Sequence, residues 1–286
     1  MPKFPIVDAH VHLYDVKRFS YGWLASVPKI NRTYGLADFD TARGAVVVDK
    51  LVFAEVAVDP GQHLGEAAFI QELADRDPRL CGIVAHAPLE KGVGVEADIL
   101  ALKKLRNVCG IRRLIETERN PAFCLEPDFL AALRLLPKYG LTFDICIKHT
   151  AMAYALELVK RCPEVSFVLD HIGKPDIKNG LHEPWWSEIR ELAKYPNVVC
   201  KVSGVITEAD HQKWTVSQIK PYVAHVIESF GFDRLMYGSD WTVSELSHAY
   251  PAWVGIIDEV TSGASEEELR NLYRNTAIRT YRLAPG

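Results

Sequence analysis

The amino-acid sequence predicts a single α/β domain folded as a (β/α)₈ TIM barrel. Three observations predict this fold: a length of 286 residues, eight short apolar segments, and amphipathic segments between most of them. One barrel takes about 250 residues, and parallel strands that are covered on both faces are apolar at most positions. Eight repeats favour a closed barrel over an open doubly wound sheet, and we expect residues 1–286 to form one domain.

The predicted strands are rich in Val, Ile, Leu and Phe, without the polar alternation of half-exposed strands. In chain order they are Ile6–His12, Leu51–Val58, Leu80–Ala87, Val108–Ile115, Thr142–Lys148, Ser166–His171, Val198–Val202 and Leu235–Asp240. Several of them end in a histidine, a lysine or an aspartate. The carboxyl ends of barrel strands face the active site, so we expect the chemistry at these polar ends.

The predicted helices fill most of the gaps between these strands. In chain order they are Gly61–Arg76, Glu96–Leu105, Glu126–Lys138, Ala151–Arg161, Trp185–Lys194, Val216–Phe230, Tyr250–Val260 and Ser265–Arg282. The last helix begins with a capping-box pattern, in which Ser265 is followed three residues later by Glu268. The segment Tyr14–Ala37 has no clear period, and its aromatic residues predict a long first loop that caps the barrel mouth.

The composition excludes several classes of partner. A net charge of −4 gives no global field for nucleic acid or for an anionic membrane. No apolar run approaches the ~18 residues of a spanning helix, and the N-terminus lacks the apolar stretch of a signal peptide. We therefore expect a cytoplasmic protein that acts on a small molecule; the oligomeric state stays open.

Three histidines and one aspartate at predicted strand ends form the strongest chemical pattern in the sequence. His10 and His12 are two residues apart in the first predicted strand, so they point to the same side, where they could bind a metal or polarise a carbonyl. Two histidines on an exposed strand would look the same. His171 and Asp240 end two later apolar strands, and burying them is costly unless they are paired or bind a metal. The set of four predicts a catalytic centre.

Five sequence stretches, spread in order over nearly the whole chain, resemble the amidohydrolase superfamily. Within it they resemble the amidohydrolase-2 group of lactone hydrolases and related decarboxylases. The stretches are DAHVHLYD from Asp8, CGIRRLIE from Cys109, FVLDHIGKP from Phe167, VCKVSG from Val199 and MYGSDW from Met236. The motifs DHIGKP and CKVSG together resemble the branch that hydrolyses sugar lactones and 2-pyrone-4,6-dicarboxylate lactones.

This resemblance implies that Asp240 is the general base that activates water. His10, His12 and His171 would then act on the carbonyl oxygen, directly or through a metal. Water attacks a cyclic ester, an oxyanion forms, the ring opens, and Asp240 returns its proton to the leaving alkoxide. We expect the apolar barrel wall to raise the pKa of Asp240 toward a value useful for this exchange.

We expect the protein to need either no cofactor or one divalent metal ion, with zinc as the preferred ion. Members of the resembling branch look divided between metal-free and zinc enzymes, and three histidines with one aspartate suit a tetrahedral site. The two-metal pattern of the superfamily needs a lysine in the fourth strand, and Gly110–Ile115 has none. The fifth strand ends in Lys148 and His149, with Lys148 in the inward position. A two-metal site is therefore not expected.

Charged residues at other strand ends are the predicted substrate contacts. The resemblance favours Arg112 over Arg113 as the arginine of the pocket, where it would bind a carboxylate or a diol. Lys148 is a further candidate. Lys201 either contacts substrate or pairs with a barrel carboxylate. Glu55 either forms a structural ion pair or contacts a sugar hydroxyl.

His86 and Trp23 complete the predicted substrate contacts. His86 ends the third strand, where a structural role is the alternative. Trp23 in the first loop stacks on a sugar ring or lactone, or only packs the loop onto the barrel. The resembling proteins usually follow SDW with proline, and this chain has Thr242 instead. We therefore expect a different turn after Asp240.

The predicted function is hydrolysis of a sugar-acid (aldono-) lactone. A dicarboxylate lactone hydrolase of the pyrone or muconolactone type is the first alternative, but it needs several arginines in the pocket, and the sequence offers Arg112 and Arg119. A metal-dependent decarboxylase and a lactone isomerase are further alternatives, because a fold does not fix the reaction. A barrel that only binds a ligand would lack catalytic positions that are present here.

Overall fold

A computed structural model describes residues 2–284; Met1, Pro285 and Gly286 of the predicted domain lie outside the described residues. Within that range eight parallel strands form one sheet in the order β1 to β8, which confirms the predicted TIM barrel. The strands are β1 Ile6–Val11, β2 Val48–Ala54, β3 Leu80–His86, β4 Val108–Arg112, β5 Thr142–Ile145, β6 Phe167–Leu169, β7 Val198–Val202 and β8 Leu235–Tyr237. The Asp240 amide donates to the His10 carbonyl (3.0 Å), so the segment after β8 closes the barrel against β1.

Most predicted strands extend too far at their carboxyl ends. β6 ends at Leu169 and β8 at Tyr237, so His171 and Asp240 lie in the loops that follow. Their φ angles are 52° and 56°, in the left-handed region that few side-chain-bearing residues adopt. A strand ladder cannot continue through such a residue, because its φ lies far from the extended range.

The helices match the predicted positions, mostly within a few residues. They are α1 Leu36–Arg43, α2 His63–Ala74, α3 Glu96–Leu102, α4 Pro127–Leu133, α5 Met152–Arg161, α6 Trp185–Leu192, α7 Val216–Phe230, α8 Tyr250–Val260, α9 Glu266–Arg270 and α10 Thr276–Tyr281. Helix α1 was not predicted. The predicted capping box before α9 is confirmed, since the Ser265 amide donates to Glu268 Oε2 (2.7 Å) and Ser265 Oγ accepts from the Glu268 amide (3.3 Å).

The first loop is tied to two other loops at the barrel mouth. Trp23 Nε1 donates to the Val56 carbonyl after β2 (2.8 Å). Lys29 Nζ donates to the Glu245 carbonyl in the segment after β8. These two anchors hold the loop across the carboxyl ends of the strands, as a cap requires.

The apolar core lies mainly between the strands and the surrounding helices. A smaller cluster joins Val52, Val84 and Val168 of the strands to Tyr281 and Leu283 near the end of the described chain. No helix within residues 2–284 is long and apolar enough to cross a membrane.

Helix α2 buries the carboxyl group of Glu66, which forms no ion pair with any residue in 2–284. Glu66 is 1% exposed, and burial together with the nearby charge of Glu55 raises its pKa to about 8. The folded chain therefore keeps a proton on Glu66 that the unfolded chain releases above about 4.5. The stability that this proton contributes is fully present below about pH 4.5 and is lost as the pH rises to 8.

We expect Glu66→Gln to stabilise the protein more at pH 8 than at pH 5, by up to about 4 kcal/mol, because one pKa unit corresponds to about 1.4 kcal/mol. Urea unfolding of both proteins at the two pH values measures this difference. Glu72→Gln is the control, because Glu72 lies in the same helix and is exposed. Equal effects of Glu66→Gln at both pH values would show that Glu66 is ionised in the folded protein.

Candidate active site

Three histidines surround one carboxylate oxygen at the carboxyl end of the barrel. The Asp240 Oδ1 atom lies 3.3 Å from His12 Nε2, 3.7 Å from His10 Nε2 and 4.0 Å from His171 Nε2. All four side chains are buried. The structure therefore brings together the four residues that the sequence predicts as catalytic.

The other ring nitrogens of His12 and His171 are held by neighbouring strand segments. His12 Nδ1 lies 2.9 Å from the Ala54 carbonyl oxygen, and His171 Nδ1 lies 3.0 Å from Ser203 Oγ. A carbonyl oxygen only accepts hydrogen bonds, so the proton of a neutral His12 is on Nδ1. The Nε2 lone pair of His12 then faces Asp240.

His10 lies below the other two, between two cations. Arg112 Nη1 is 3.2 Å from His10 Nε2, and Lys201 Nζ is 3.3 Å from His10 Nδ1. Asp170 Oδ1 is 3.4 Å from Nδ1. Because a guanidinium only donates, His10 Nε2 accepts from it and Nδ1 carries the proton toward Asp170. The Nε2 lone pair of His10 is thus taken by Arg112, while the Nε2 atom lies 3.7 Å from Asp240 Oδ1.

A buried ion network supports the histidines from below. Arg112 donates from Nε to Glu55 Oε1 (2.9 Å) and from Nη1 to Asp170 Oδ2 (3.0 Å). Lys201 Nζ lies 2.6 Å from Asp144 Oδ2 and 3.0 Å from Asp170 Oδ1. Burial acts to lower the pKa of Lys201, but the two aspartates outweigh it and raise the pKa above its ordinary value. Lys201 is therefore a charged structural partner.

The pKa of Asp240 corrects the expectation drawn from the sequence. Burial does act to raise it, but the contacts with His171, His12 and His10 outweigh burial, and the pKa lies below its ordinary value. Burial lowers the pKa of His171 to about 4 and lowers that of His10. At neutral pH the site therefore consists of an ionised Asp240 with neutral His10 and His171.

A glycine after β7 allows this close packing. A Cβ atom on Gly204 would lie 2.5 Å from His171 Nδ1 and 2.8 Å from Asp240 Oδ2, which is closer than side chains approach. Its φ of 58° is also in the left-handed region. The glycine of the VCKVSG stretch is thus required by contact with two predicted catalytic side chains.

The donor atoms fit one metal ion. The ligand atoms of His10, His12 and Asp240 all lie within 4.8 Å of one another, and His171 Nε2 faces the same carboxylate. A tetrahedral zinc ion takes four such ligands at about 2.0–2.2 Å. Metal-bound histidines usually donate their second nitrogen to a carboxylate or carbonyl, as His10 does to Asp170 and His12 to Ala54. The residues present therefore fit a mononuclear ion.

A cavity of about 230 Å³ opens above Asp240. Trp23, Glu55 and Arg112, three predicted substrate contacts, line it. The guanidinium of Arg112 is already bonded to Glu55 and Asp170, and its Nη2 donates to the Glu55 carbonyl. Of the two roles predicted for Glu55, the structure forms the ion pair.

Three other predicted substrate contacts do not line this cavity in the described part of the chain. Lys148 is exposed at the surface. Lys201 is fully buried beneath His10, so the carboxylate pairing is the alternative that the structure forms. His86 lines a second cavity beside the first.

Sequence reasoning missed an ion pair in the wall of the first cavity. Lys174 Nζ donates to Glu116 Oε2 (2.5 Å), and both side chains line the cavity. Burial acts to lower the pKa of Lys174, but Cys146 and Glu116 outweigh it and raise the pKa. Lys174 stands in the FVLDHIGKP stretch and Glu116 ends the CGIRRLIE stretch, so their position in motifs was the available signal.

The segment after Asp240 contains the residue that departs from the resembling pattern. Thr242 is fully buried, and its Oγ1 donates to the Tyr14 hydroxyl (3.2 Å). The peptide bond between Trp241 and Thr242 is cis. Thr242 thus connects the segment after β8 to the first loop.

Comparisons with known proteins agree with this geometry. The amidohydrolase family model Amidohydro_2 matches residues 7–283. The L-fucono-1,5-lactonase of Burkholderia ambifaria is 29% identical over 252 residues, covering 87% of this chain and 85% of that protein. The L-fucono-1,5-lactonase of Burkholderia multivorans is 28% identical over 289 residues, covering 97% and 96%. A crystal structure of a Burkholderia multivorans amidohydrolase with bound zinc gives a TM-score of 0.87 at 26% identity, covering 98% of this chain and 100% of that one.

Proposed function

The chain belongs to the amidohydrolase family, and we propose that it hydrolyses an uncharged lactone of a sugar acid. The observation that carries this proposal is an ionised carboxylate, Asp240, in the floor of a cavity whose cations are already paired. The two lactonases named above support the same class of substrate.

In the proposed reaction, Asp240 accepts a proton from water as the water oxygen attacks the lactone carbonyl carbon. The tetrahedral intermediate then collapses, the bond between this carbon and the ring oxygen breaks, and Asp240 returns the proton to the departing oxygen. The product is an open-chain hydroxy acid. His12 and His171 line the cavity beside Asp240 and orient it, while His10 contacts it from below.

We further propose that His10, His12, His171 and Asp240 hold one zinc ion. The ligand atoms of His10, His12 and Asp240 lie within 4.8 Å of one another, and the His12 Nδ1 atom is engaged by the Ala54 carbonyl, which leaves its Nε2 atom to bind a cation. When bound, such an ion polarises a carbonyl oxygen and lowers the pKa of water.

The charges in the cavity wall favour a neutral substrate over a dicarboxylate. Arg112 is paired with Glu55 and Asp170, and Lys174 is paired with Glu116. No other arginine or lysine lines the first cavity in residues 2–284. A carboxylate that enters a buried site without a free cation pays a large desolvation cost. Hydroxyl groups of a sugar can instead donate to Glu116.

We expect kcat/KM for at least one of L-fucono-, L-rhamnono- and galactonolactone to exceed that for 2-pyrone-4,6-dicarboxylate by about 100-fold or more, which corresponds to about 2.8 kcal/mol. A pH-indicator assay of acid release measures both classes. Preference for the dicarboxylate would overturn the proposed substrate class. Release of CO₂ without ring opening would favour a decarboxylase.

We expect the purified protein to bind one equivalent of zinc and to lose most of its activity after chelation. Zinc added to the chelated protein should restore activity, because the four ligands are otherwise intact. Elemental analysis and the lactone assay measure the two effects. Full activity in protein that holds less than about one tenth of an equivalent of metal would show that the histidines act without an ion.

A further inference from the structure

We infer that the chain also hydrolyses lactones of oxidised disaccharides, with the second sugar unit bound in a cavity beside the active one. The inference rests on the proposed function and adds a binding site to it. This second cavity has a volume of about 420 Å³, against about 230 Å³ for the first. A unit at least as large as the lactone ring therefore has room there.

The two cavities adjoin. Glu55, Ala57, Leu114 and Thr117 line both of them. The first cavity alone is smaller than the range of about 300–1,000 Å³ that is usual for ligand sites, and the two together fall within it. A substituent on a lactone ring in the first cavity would extend into the second between these four residues.

The charges of the second cavity are compensated within the protein. Arg113 donates from Nε to Glu90 Oε2 (3.1 Å) and from Nη2 to Glu118 Oε1 (2.7 Å). Lys91 Nζ donates to Asp98 Oδ2 (3.0 Å). The carboxylates keep acceptor positions for hydroxyl groups, since each oxygen accepts more than one hydrogen bond. A neutral, hydroxyl-rich ligand suits this wall better than an ion does.

The His86 side chain, which lines the second cavity, has no hydrogen bond within the described residues. His86 is half-buried, and its ring packs edge-on against His63, with 5.6 Å between centroids. His63 is itself held by Asp98, with 3.1 Å from Nε2 to Oδ1. A neutral imidazole offers one donor and one acceptor, the pair that a hydroxyl group needs. Pro60 supplies an apolar surface for the carbon face of a sugar ring.

The first measurement compares two substrates with the wild-type protein. The probes are the lactone of lactobionic acid and the best monosaccharide lactone from the panel above. We expect kcat/KM for the disaccharide lactone to be at least equal, because contacts with a remote unit add binding energy. A value tenfold or more below that of the monosaccharide lactone would overturn the inference and leave the proposed function intact. If neither sugar lactone is hydrolysed, the proposed function fails and this inference fails with it.

The second measurement fills the cavity. Val58 lines only the second cavity, so Val58→Trp should lower kcat/KM for the disaccharide lactone about tenfold or more and leave the monosaccharide lactone unchanged. Val93→Trp is the matched control, because Val93 is 67% exposed and lines neither cavity. Equal losses on both substrates would overturn the inference. The wild-type comparison decides the question without either variant if Val58→Trp does not fold.

Discussion

Replacing Asp240 by asparagine is expected to lower kcat for lactone hydrolysis by about 10²–10⁴-fold, the usual contribution of a general acid or base. Asparagine has nearly the same shape, but its amide cannot take a proton from water. The carboxylate is 4% exposed and lies 3.3 Å from His12 Nε2. The loss should therefore appear in kcat, measured under saturating lactone, with a smaller change in KM.

Two controls separate loss of the base from loss of the fold. Asp75→Asn changes an exposed aspartate and should leave kcat within twofold of the wild type, a difference of about 0.4 kcal/mol. Circular dichroism and thermal unfolding of Asp240→Asn test whether the barrel is retained. A folded Asp240→Asn protein with wild-type kcat would remove Asp240 as the proton acceptor. Its zinc content shows separately whether the carboxylate is a ligand.

Replacing Lys201 by methionine is expected to destabilise the protein by about 3–5 kcal/mol, the usual cost of leaving buried charges without a partner. Lys201 is fully buried between Asp144 and Asp170. Methionine fills a similar volume but leaves both aspartates without this cation. Urea unfolding followed by circular dichroism measures the free energy of unfolding.

A surface lysine provides the comparison for this variant. Lys220 is an exposed residue of α7, and Lys220→Met should change the free energy of unfolding by less than about 0.5 kcal/mol. Adding Asp144→Asn to Lys201→Met removes one uncompensated charge and should recover part of the loss. Equal stability of Lys201→Met and the wild type would mean that the aspartates are protonated when the lysine is absent.

The sequence predicts the barrel because its signals repeat. Apolar runs and amphipathic helices recur along the chain, so an error at one end of an element does not change the fold. The strand ends were harder to predict, since Leu235–Asp240 is apolar at most positions although β8 stops at Tyr237. The left-handed backbone of Asp240, three residues beyond the end of β8, has no signature in residue type.

The four predicted catalytic residues come together because each follows or lies in a strand, and the barrel fixes the height of strand ends. Only three of the six predicted substrate contacts line the first cavity, since a charged residue at a strand end has several possible partners. Lys201 and Arg112 both pair with the same aspartate, Asp170, inside the barrel. Which acid a base pairs with depends on register between distant strands, and no local pattern encodes that register.

The ion network couples the two halves of the barrel, so that their sequences are expected to evolve together. The first half, β1–β4, carries Arg112, and the second half, β5–β8, carries its partner Asp170, 3.0 Å away. In the second half, Asp144 and Asp170 share the single cation Lys201, so Asp170 depends on Arg112 of the first half for a second ion pair. We therefore expect recombination between relatives at the midpoint of the chain to preserve the fold only when an incoming second half brings an acid to the position of Asp170, or an incoming first half brings a base to the position of Arg112.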